Sequence, residues 1–513
     1  MNSRWYKSYL EPLYNNLNIT SIQKTSNPIY LYQNDFNEGT YRITKPGLYV
    51  LNENIIFHPN PENDFKPTME QFNNNTYPPH PYRLGFFAAI TIECNDVILD
   101  LNGFTLSQSV MHNLKQRFFA LIELANTPFI PKTGPTNFGM NIEPASNSII
   151  KNGHLGLSSH HGIHGNNNEN ILMHDITYKD FEVAAISLNG GNHIYIKNSH
   201  IQGTNTNITS NAMLSQCLFA LPFLKKIKEN NPDAYLLTKR GKKNIQTIID
   251  NVTIDTEIFL SSIVDEDIYY DSLLSNPSGL LDGNVYGIVL NSTGPVVGAF
   301  KDISPSNSRN AYVVIDNVTI ENITSDSIEI IGYGLNNSTQ DGSYGKDQLI
   351  GPVGDIIQFE NVLDEEGYYV GNILTDMQLI INKYGSSQED KGRANVPLSM
   401  IESIEACIVP VPEIKKEEGF YCITGRDSMG HHMKGSAGLF ISQGQYIVLK
   451  NLTINNIINN GIGDSESCET SGILLSGTKN IVMEHNKITN INSVKNRAIN
   501  IRYKLENNNI SII

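Results

Sequence analysis

Two copies of one short phrase stand 23 residues apart, with Ile163 and Ile186 at matching places. Gly162-Ile163-His164-Gly165 leads into Asn170-Ile171-Leu172-Met173-His174-Asp175-Ile176, and Ala185-Ile186-Ser187-Leu188 leads into His193-Ile194-Tyr195-Ile196-Lys197-Asn198-Ser199-His200-Ile201. Each copy is a small residue, an alternating strand, a short turn, a second strand, and an Asn or Asp. Repetition at this period is the signature of a solenoid, and a unit of short strands makes it a coil of parallel strands. A chain of 513 residues would ordinarily divide into several domains. A solenoid escapes that rule because each coil packs only on its neighbours.

The phrase recurs along the chain. Its opening strand returns as Ala89-Ile90-Thr91-Ile92, Gly287-Ile288-Val289-Leu290, Gly438-Leu439-Phe440-Ile441, Gly472-Ile473-Leu474-Leu475 and Ala498-Ile499-Asn500-Ile501. Its second strand returns at Val97–Gly103, Ile149–Gly153, Ile248–Ile254, Val313–Ile320, Ile447–Ile454 and Ile481–His485. Period-two alternation sends one set of side chains inward and leaves polar neighbours facing water. Strands stacked at about 4.8 Å per coil would then enclose one continuous aliphatic interior. The Asn or Asp at the bend (Asn152, Asp175, Asn198, Asn251, Asn317, Asn451) tolerates left-handed backbone, and stacked carboxamides can bond up the column.

Gly39-Thr40-Tyr41-Arg42-Ile43, Pro46-Gly47-Leu48-Tyr49-Val50-Leu51 and Val97-Ile98-Leu99-Asp100-Leu101-Asn102-Gly103-Phe104-Thr105-Leu106 resemble the opening coils of right-handed parallel β-helix proteins of the pectin-lyase-like superfamily, which includes NosD-type repeat proteins. The resemblance implies an all-β, right-handed parallel β-helix over residues 39–513, with residues 1–38 as an N-terminal cap or extension. Tyr6, Leu10, Leu13 and Leu17 stand at 4-3-4 spacing in that cap, where Pro12 interrupts a helix. Insertions fall near 58–83, 205–245, 258–283, 333–355 and 382–436. The first is rich in Pro and Asn and reads as a loop. The second carries Met213, Leu214, Leu218, Leu221, Leu224 and Ile227 at helical spacing. Long loops on a rigid coil are where such a scaffold carries a binding site.

Net charge and punctuation narrow the function classes. A net charge of −15 argues against bulk binding to nucleic acid or an anionic membrane. No apolar run is long enough to span a bilayer, and Met1 to Leu10 lacks the apolar region of a secretory signal. A surface, extracellular or virion location is compatible with this reading. Five scattered cysteines without a CxxC pair read as free thiols, not a zinc site. Gly345-Lys346 lacks the upstream glycine of a P-loop.

Two polar clusters carry the candidate chemistry. In Ser158-Ser159-His160-His161-Gly162-Ile163-His164, an inward Ile163 sets His160 and His164 outward, with Gly162 as an open notch between them. Such imidazoles serve as acid and base or as metal ligands. The segment Arg426-Asp427-Ser428-Met429-Gly430-His431-His432-Met433-Lys434 combines cations, a carboxylate and two histidines ahead of the strand at Gly438. A polysaccharide lyase needs a cation to neutralise a uronate carboxylate and a base for the adjacent proton. Arg426, Asp427, His431, His432 and Lys434 offer those types. Lys151, His174 and Lys197 align at the repeat period, but Asp100, Asp250, Asp316, Lys450 and Glu484 take equivalent places, which reads as a solvated column. Asp464, Glu466 and Glu469 are carboxylates for an inverting hydrolase, and the runs Asp265-Glu266-Asp267 and Asp364-Glu365-Glu366 are the segments suited to calcium. No other cofactor is implied.

Two functions compete on this reading. One is a carbohydrate-directed β-helix that binds, and as a lyase or glycoside hydrolase would cleave, a polysaccharide along one sheet face. The other is a non-catalytic structural or attachment protein, such as a surface fibre or virion component. Asn508-Asn509-Ile510-Ser511-Ile512-Ile513 resembles the start of a further strand, so the last coil is expected to need covering, by another segment or by a second subunit in a homo-oligomer.

Overall fold

The computed structural model describes residues 27–63, 65–82, 85–116, 119–128, 141–203, 235–238, 241–244, 246, 249–250, 286–291, 310–325, 436–459, 469–493, 495–502 and 510–512. The chain is an all-β solenoid, a parallel β-helix whose strands form three parallel ladders. His161–Lys179 and Ala184–Gln202 are 19-residue strands that each run through all three ladders. Their pairing sets His161 against Ala184, Met173 against Ile196 and Tyr178 against Ile201, the 23-residue period of the sequence. The first ladder then steps from Ala184 directly to Tyr286, and from there to Ala437, Ser471 and Arg497. Long excursions in the sequence therefore leave the rung pairing intact.

The interior is one apolar core running along the described coils, largely aliphatic, with rings such as Phe57, Phe86 and Tyr178 entering it in the earlier coils. Ile163, Ile186, Ile288 and Ile473 from the first ladder are fully buried in it. Met173, Ile196, Ile315 and Leu449 join from the second ladder, and Tyr178, Ile201, Ile320 and Ile454 from the third. Small residues early in the first-ladder strands allow this closure. A Cβ on Gly438 would lie 2.9 Å from the carbonyl oxygen of Gly472 in the next coil and 2.7 Å from Ile454 Cγ2.

The bends follow from backbone chirality. Asn152, Asp175, Asn198, Asn317 and Asn451 have φ of 60°, 56°, 46°, 54° and 52°, the left-handed region that Asn and Asp enter more readily than other non-glycine residues. Asn317 Nδ2 donates to Asn198 Oδ1 at 2.9 Å. Elsewhere in the column the acceptor is the preceding aspartate: Asn152 Nδ2 donates to Asp100 Oδ1 and Asn451 Nδ2 to Asp316 Oδ1. A second left-handed column precedes the second ladder. There Asn170 donates to Asn147, and the column continues as a ring stack of His193, Tyr312 and Tyr446 with centroids 4.7 and 5.1 Å apart.

Three expectations need correction. Residues 58–83 are not simply a loop: Met69–Asn73 and Pro79–Tyr82 are short helices. The first starts at a reciprocal cap in which Thr68 and Gln71 satisfy one another's backbone N–H. Of the second-strand copy expected at Ile248–Ile254, only Ile249 and Asp250 are described; both are helical, and the second ladder passes directly from Ala184–Gln202 to Asn310–Ser325. Asp250 therefore has no place in the charged column. The outward neighbours are also not uniformly polar. Leu48, Ile98, Ile149, Leu172, Tyr195, Val314, Val448 and Val482 stand in register as an apolar ridge outside the second ladder, most of them buried. Unbroken apolar triplets such as Val313-Val314-Ile315 are the sequence trace of a strand covered on both faces. Of the segment near 205–245, Tyr235–Thr238 and Gly241–Asn244 form an antiparallel hairpin, and the helical stripe from Met213 to Ile227 lies outside the described residues.

Inward and outward positions predict different mutational costs. Ile288→Ala should destabilise the chain by about 2–5 kcal/mol through the cavity it leaves, whereas Thr319→Ala should stay within about 0.5 kcal/mol. Urea denaturation followed by circular dichroism measures both, and equal effects would contradict the assignment of faces.

Candidate functional site

The outward column of the first ladder runs Arg42, Thr91, Glu123, His164, Ser187, Val289, Phe440, Leu474 and Asn500 in register. Its upper half is polar, Val289, Phe440 and Leu474 below are apolar, the column ends in buried Asn500, and nearly all of it is shielded from solvent. Beside it, His161 aligns with Ala184 and Tyr286. The lower half joins these as an outer apolar cluster of Val183, Ala184, Tyr286, Val289, Ala437, Phe440 and Leu474.

His164 sits at the centre of the polar half, 8% exposed. Its Nδ1 lies 2.6 Å from Glu123 Oε2 and its Nε2 lies 3.1 Å from Asn189 Nδ2. Asn189 can only donate through Nδ2, so Nε2 is the acceptor and Nδ1 carries the proton towards Glu123. Asn189 Nδ2 also donates to Asn166 Oδ1, and Asn166 Nδ2 to the carbonyl of Pro128. The result is a polar relay across three successive rungs. Burial pushes the Glu123 carboxyl above the ordinary carboxylate range, and the His164 contact opposes that shift without cancelling it.

The neighbouring histidines differ from the expected pattern. The ring that stacks over His164 is that of His161, at 5.1 Å and 28°, while His160 meets His161 edge-on at 4.2 Å. All three rings are buried. Gly162 does not leave an open notch between them: a Cβ there would meet the Ala185 carbonyl at 2.5 Å and core residue Tyr178 at 3.0 Å. Strict alternation breaks where the chain turns into the ladder, so Gly162 and Ile163 both face inward. Ser158 supports this corner by donating from Oγ to the His161 carbonyl.

Arg426, Asp427, His431, His432 and Lys434 lie outside the described residues, as do Asp464, Glu466 and both acidic runs. Glu469 is described and is held by Arg502 through a carboxylate–guanidinium contact. Lys151, His174 and Lys197 do form one column, continued by Asp316, Lys450 and Glu484, and Lys151 Nζ pairs with Asp100 at 3.2 Å. Among the described residues, no group of three His, Cys, Asp or Glu is arranged to hold a metal ion, and no helix is long and apolar enough to cross a membrane. Cys94 is a free thiol pushed up to about 11, chiefly by burial.

Sequence reasoning missed Glu123, Asn166 and Asn189, and also the bidentate Arg42–Glu93 pair at 2.8 Å with Thr91 Oγ1 donating to Glu93. A usable signal was present. Ala120-Leu121-Ile122-Glu123 is another opening strand, and its final carboxylate stands one rung from His164.

Comparison with known proteins adds little to this geometry. No family model matches the chain, and no curated protein matches it. Among solved structures, the crystal structure of PfbA, a surface adhesin of Streptococcus pneumoniae, is similar at 10% identity and a TM-score of 0.27, covering 94% of this chain and 70% of that one. A second structure of that pneumococcal surface protein and adhesin covers 94% of both chains at 10% identity and a TM-score of 0.17. Likenesses this faint carry no argument about function.

Glu123 makes a pH prediction. Its folded value is raised above the unfolded one, so its contribution to stability is complete below about pH 4 and is lost as pH rises through the folded value. Glu123→Gln removes that titration and keeps an acceptor for His164. The melting temperature of the unaltered chain minus that of E123Q should therefore fall as pH is raised above about 4. A difference that stays constant across the titration would contradict the assignment.

Proposed function

We propose that this protein is a non-catalytic attachment protein, a rigid β-helical shaft that holds a carbohydrate without cleaving it. The observation that supports this most is the state of His164. One ring nitrogen is committed to Glu123 and the other to Asn189, within a face 8% exposed or less at Glu123, His164 and Asn189. A general base must reach the proton it abstracts, and here the imidazole reaches two protein groups instead. Buried polar groups bonded to one another in this way tie rungs together. Glu123, His164 and Asn189 lie on three consecutive coils, so the relay stabilises the stack it crosses.

A carbohydrate partner follows from the resemblance of the repeat motifs to the pectin-lyase-like superfamily, which raises that class above others without selecting a substrate. The lyase or hydrolase reading would need Arg426, Asp427, His431, His432 or Lys434 to meet a substrate, and no described residue speaks for that arrangement.

The test pairs binding with turnover. The full chain, incubated with uronate polysaccharides and a broad glycan panel, should retain at least one glycan while generating neither unsaturated ends nor new reducing ends. Product that disappears in the Arg426→Ala or His431→Ala variant would replace this proposal with catalysis. Retention of no glycan would remove the carbohydrate partner.

A further inference from the structure

The three outward faces differ, and the difference points to where a partner is held. The outer face of the first ladder is buried, and that of the second is an apolar ridge with little exposure. The third is open. Its outward column runs Thr105, His154, Thr177, His200, Thr319, Thr453 and Lys487 in unbroken register. None of these residues is buried, and His154 and Lys487 are exposed. A second outward column follows two positions on, with Lys179, Gln202, Glu321, Asn455 and Thr489. Inward neighbours Tyr178, Ile201, Ile320 and Ile454 anchor the same strands in the core.

We propose that this face of the third ladder is the attachment surface, and that its partner is a hydroxyl-rich, weakly charged polysaccharide lying along the coil axis. The inference rests on the attachment reading above and adds the surface and the chemical class.

Three properties of the face argue for that class. The donors and acceptors repeat at one rung, about 4.8 Å, so they match a partner that itself repeats. Thr side chains are stiff about their first torsion, and paired strands on a packed core hold them in place, so little freedom is lost on binding. The groups also cross-brace one another: His200 Nε2 lies 2.7 Å from Glu321 Oε1, and Thr489 Oγ1 donates to Asn455 Oδ1 at 2.9 Å.

Other macromolecules fit less well. Protein interfaces concentrate energy in buried Trp, Tyr and Arg anchors, and neither column contains any of these. Nucleic acid needs many cations to offset a charge about every 1.7 Å along a duplex. The two columns contain Lys179 and Lys487 against Glu321, with the histidines between them. A hydroxyl-rich polymer of low charge density is the partner whose hydrogen-bonding groups this face can meet.

The experiment uses the full chain on a glycan array, followed by biolayer interferometry with the strongest glycan retained. The variant Thr177→Ala/His200→Ala/Thr319→Ala removes side-chain groups from three adjacent rungs, and Lys450→Ala/Glu484→Ala alters the charged column outside the second ladder as a control. The triple variant should bind about tenfold more weakly, or worse, and the control should stay within about twofold. Thr319→Lys, which adds bulk at the centre of the face and leaves the other groups in place, should also weaken binding and serves if the triple variant fails to fold. Glycan binding that survives both face variants overturns the surface and leaves the attachment reading standing. Binding to no glycan overturns the carbohydrate partner and this proposal together, and preferential retention of a protein or nucleic-acid probe by the same face overturns the chemical class.

Discussion

Everything in this molecule depends on aliphatic side chains at equivalent positions of successive coils stacking over one another. Parallel pairing sets each coil about 4.8 Å above the last, so an Ile at one rung lands on an Ile at the next. Ile163, Ile186, Ile288, Leu439 and Ile473 are one such column. The interior does not require coils of equal length, only strands that return to the same pairing. That is why Ala184 pairs with Tyr286 as readily as His161 pairs with Ala184. Excursions are added at the corners at little cost, because loop closure grows slowly with length.

The same stacking gives each outward face its character. A residue repeated along a column produces a ridge or ladder, so small compositional choices become extended surfaces. Val, Ile and Leu between two inward aliphatics yield the ridge outside the second ladder. Thr and His in the corresponding place yield the open face of the third. In the first ladder, the change from Glu123 and His164 to Val289 and Phe440 divides one column into a polar relay and an apolar cluster. The relay also bears on fold specificity. Aliphatic columns alone are nearly indifferent to which coil follows which, whereas the carboxylate of Glu123 is matched by the imidazole of His164 one rung away. Buried polar pairs are used elsewhere to fix register, and a repeated sequence has particular need of it.

Much of the fold was legible because its signals are local and periodic. The inward Ile residues, the alternation of the strands and the left-handed Asn bends each follow from a handful of neighbouring residues. The candidate site was legible only in part. His164 stood out as a histidine in a repeat, but Glu123 lies 41 residues upstream, beyond the reach of a 23-residue period. The helix at Met69–Asn73 was masked by surrounding Pro and Asn, although Thr68 and Gln71 carry the spacing of a reciprocal cap. Gly162 was misplaced because strict alternation fails where the chain enters a ladder, and a side chain cannot be assigned to a face through a bend.

By itself, the sequence determined a coil of parallel strands, the residues that fill its interior and the residues that turn its corners. These depend on period, side-chain size and backbone chirality, all carried by adjacent residues. Only the tertiary structure decided which outward face stays open and which histidine nitrogen has a partner. Exposure and hydrogen bonding are properties of what lies alongside. In a solenoid with long insertions, the group alongside is set by rung number and can be far away along the chain.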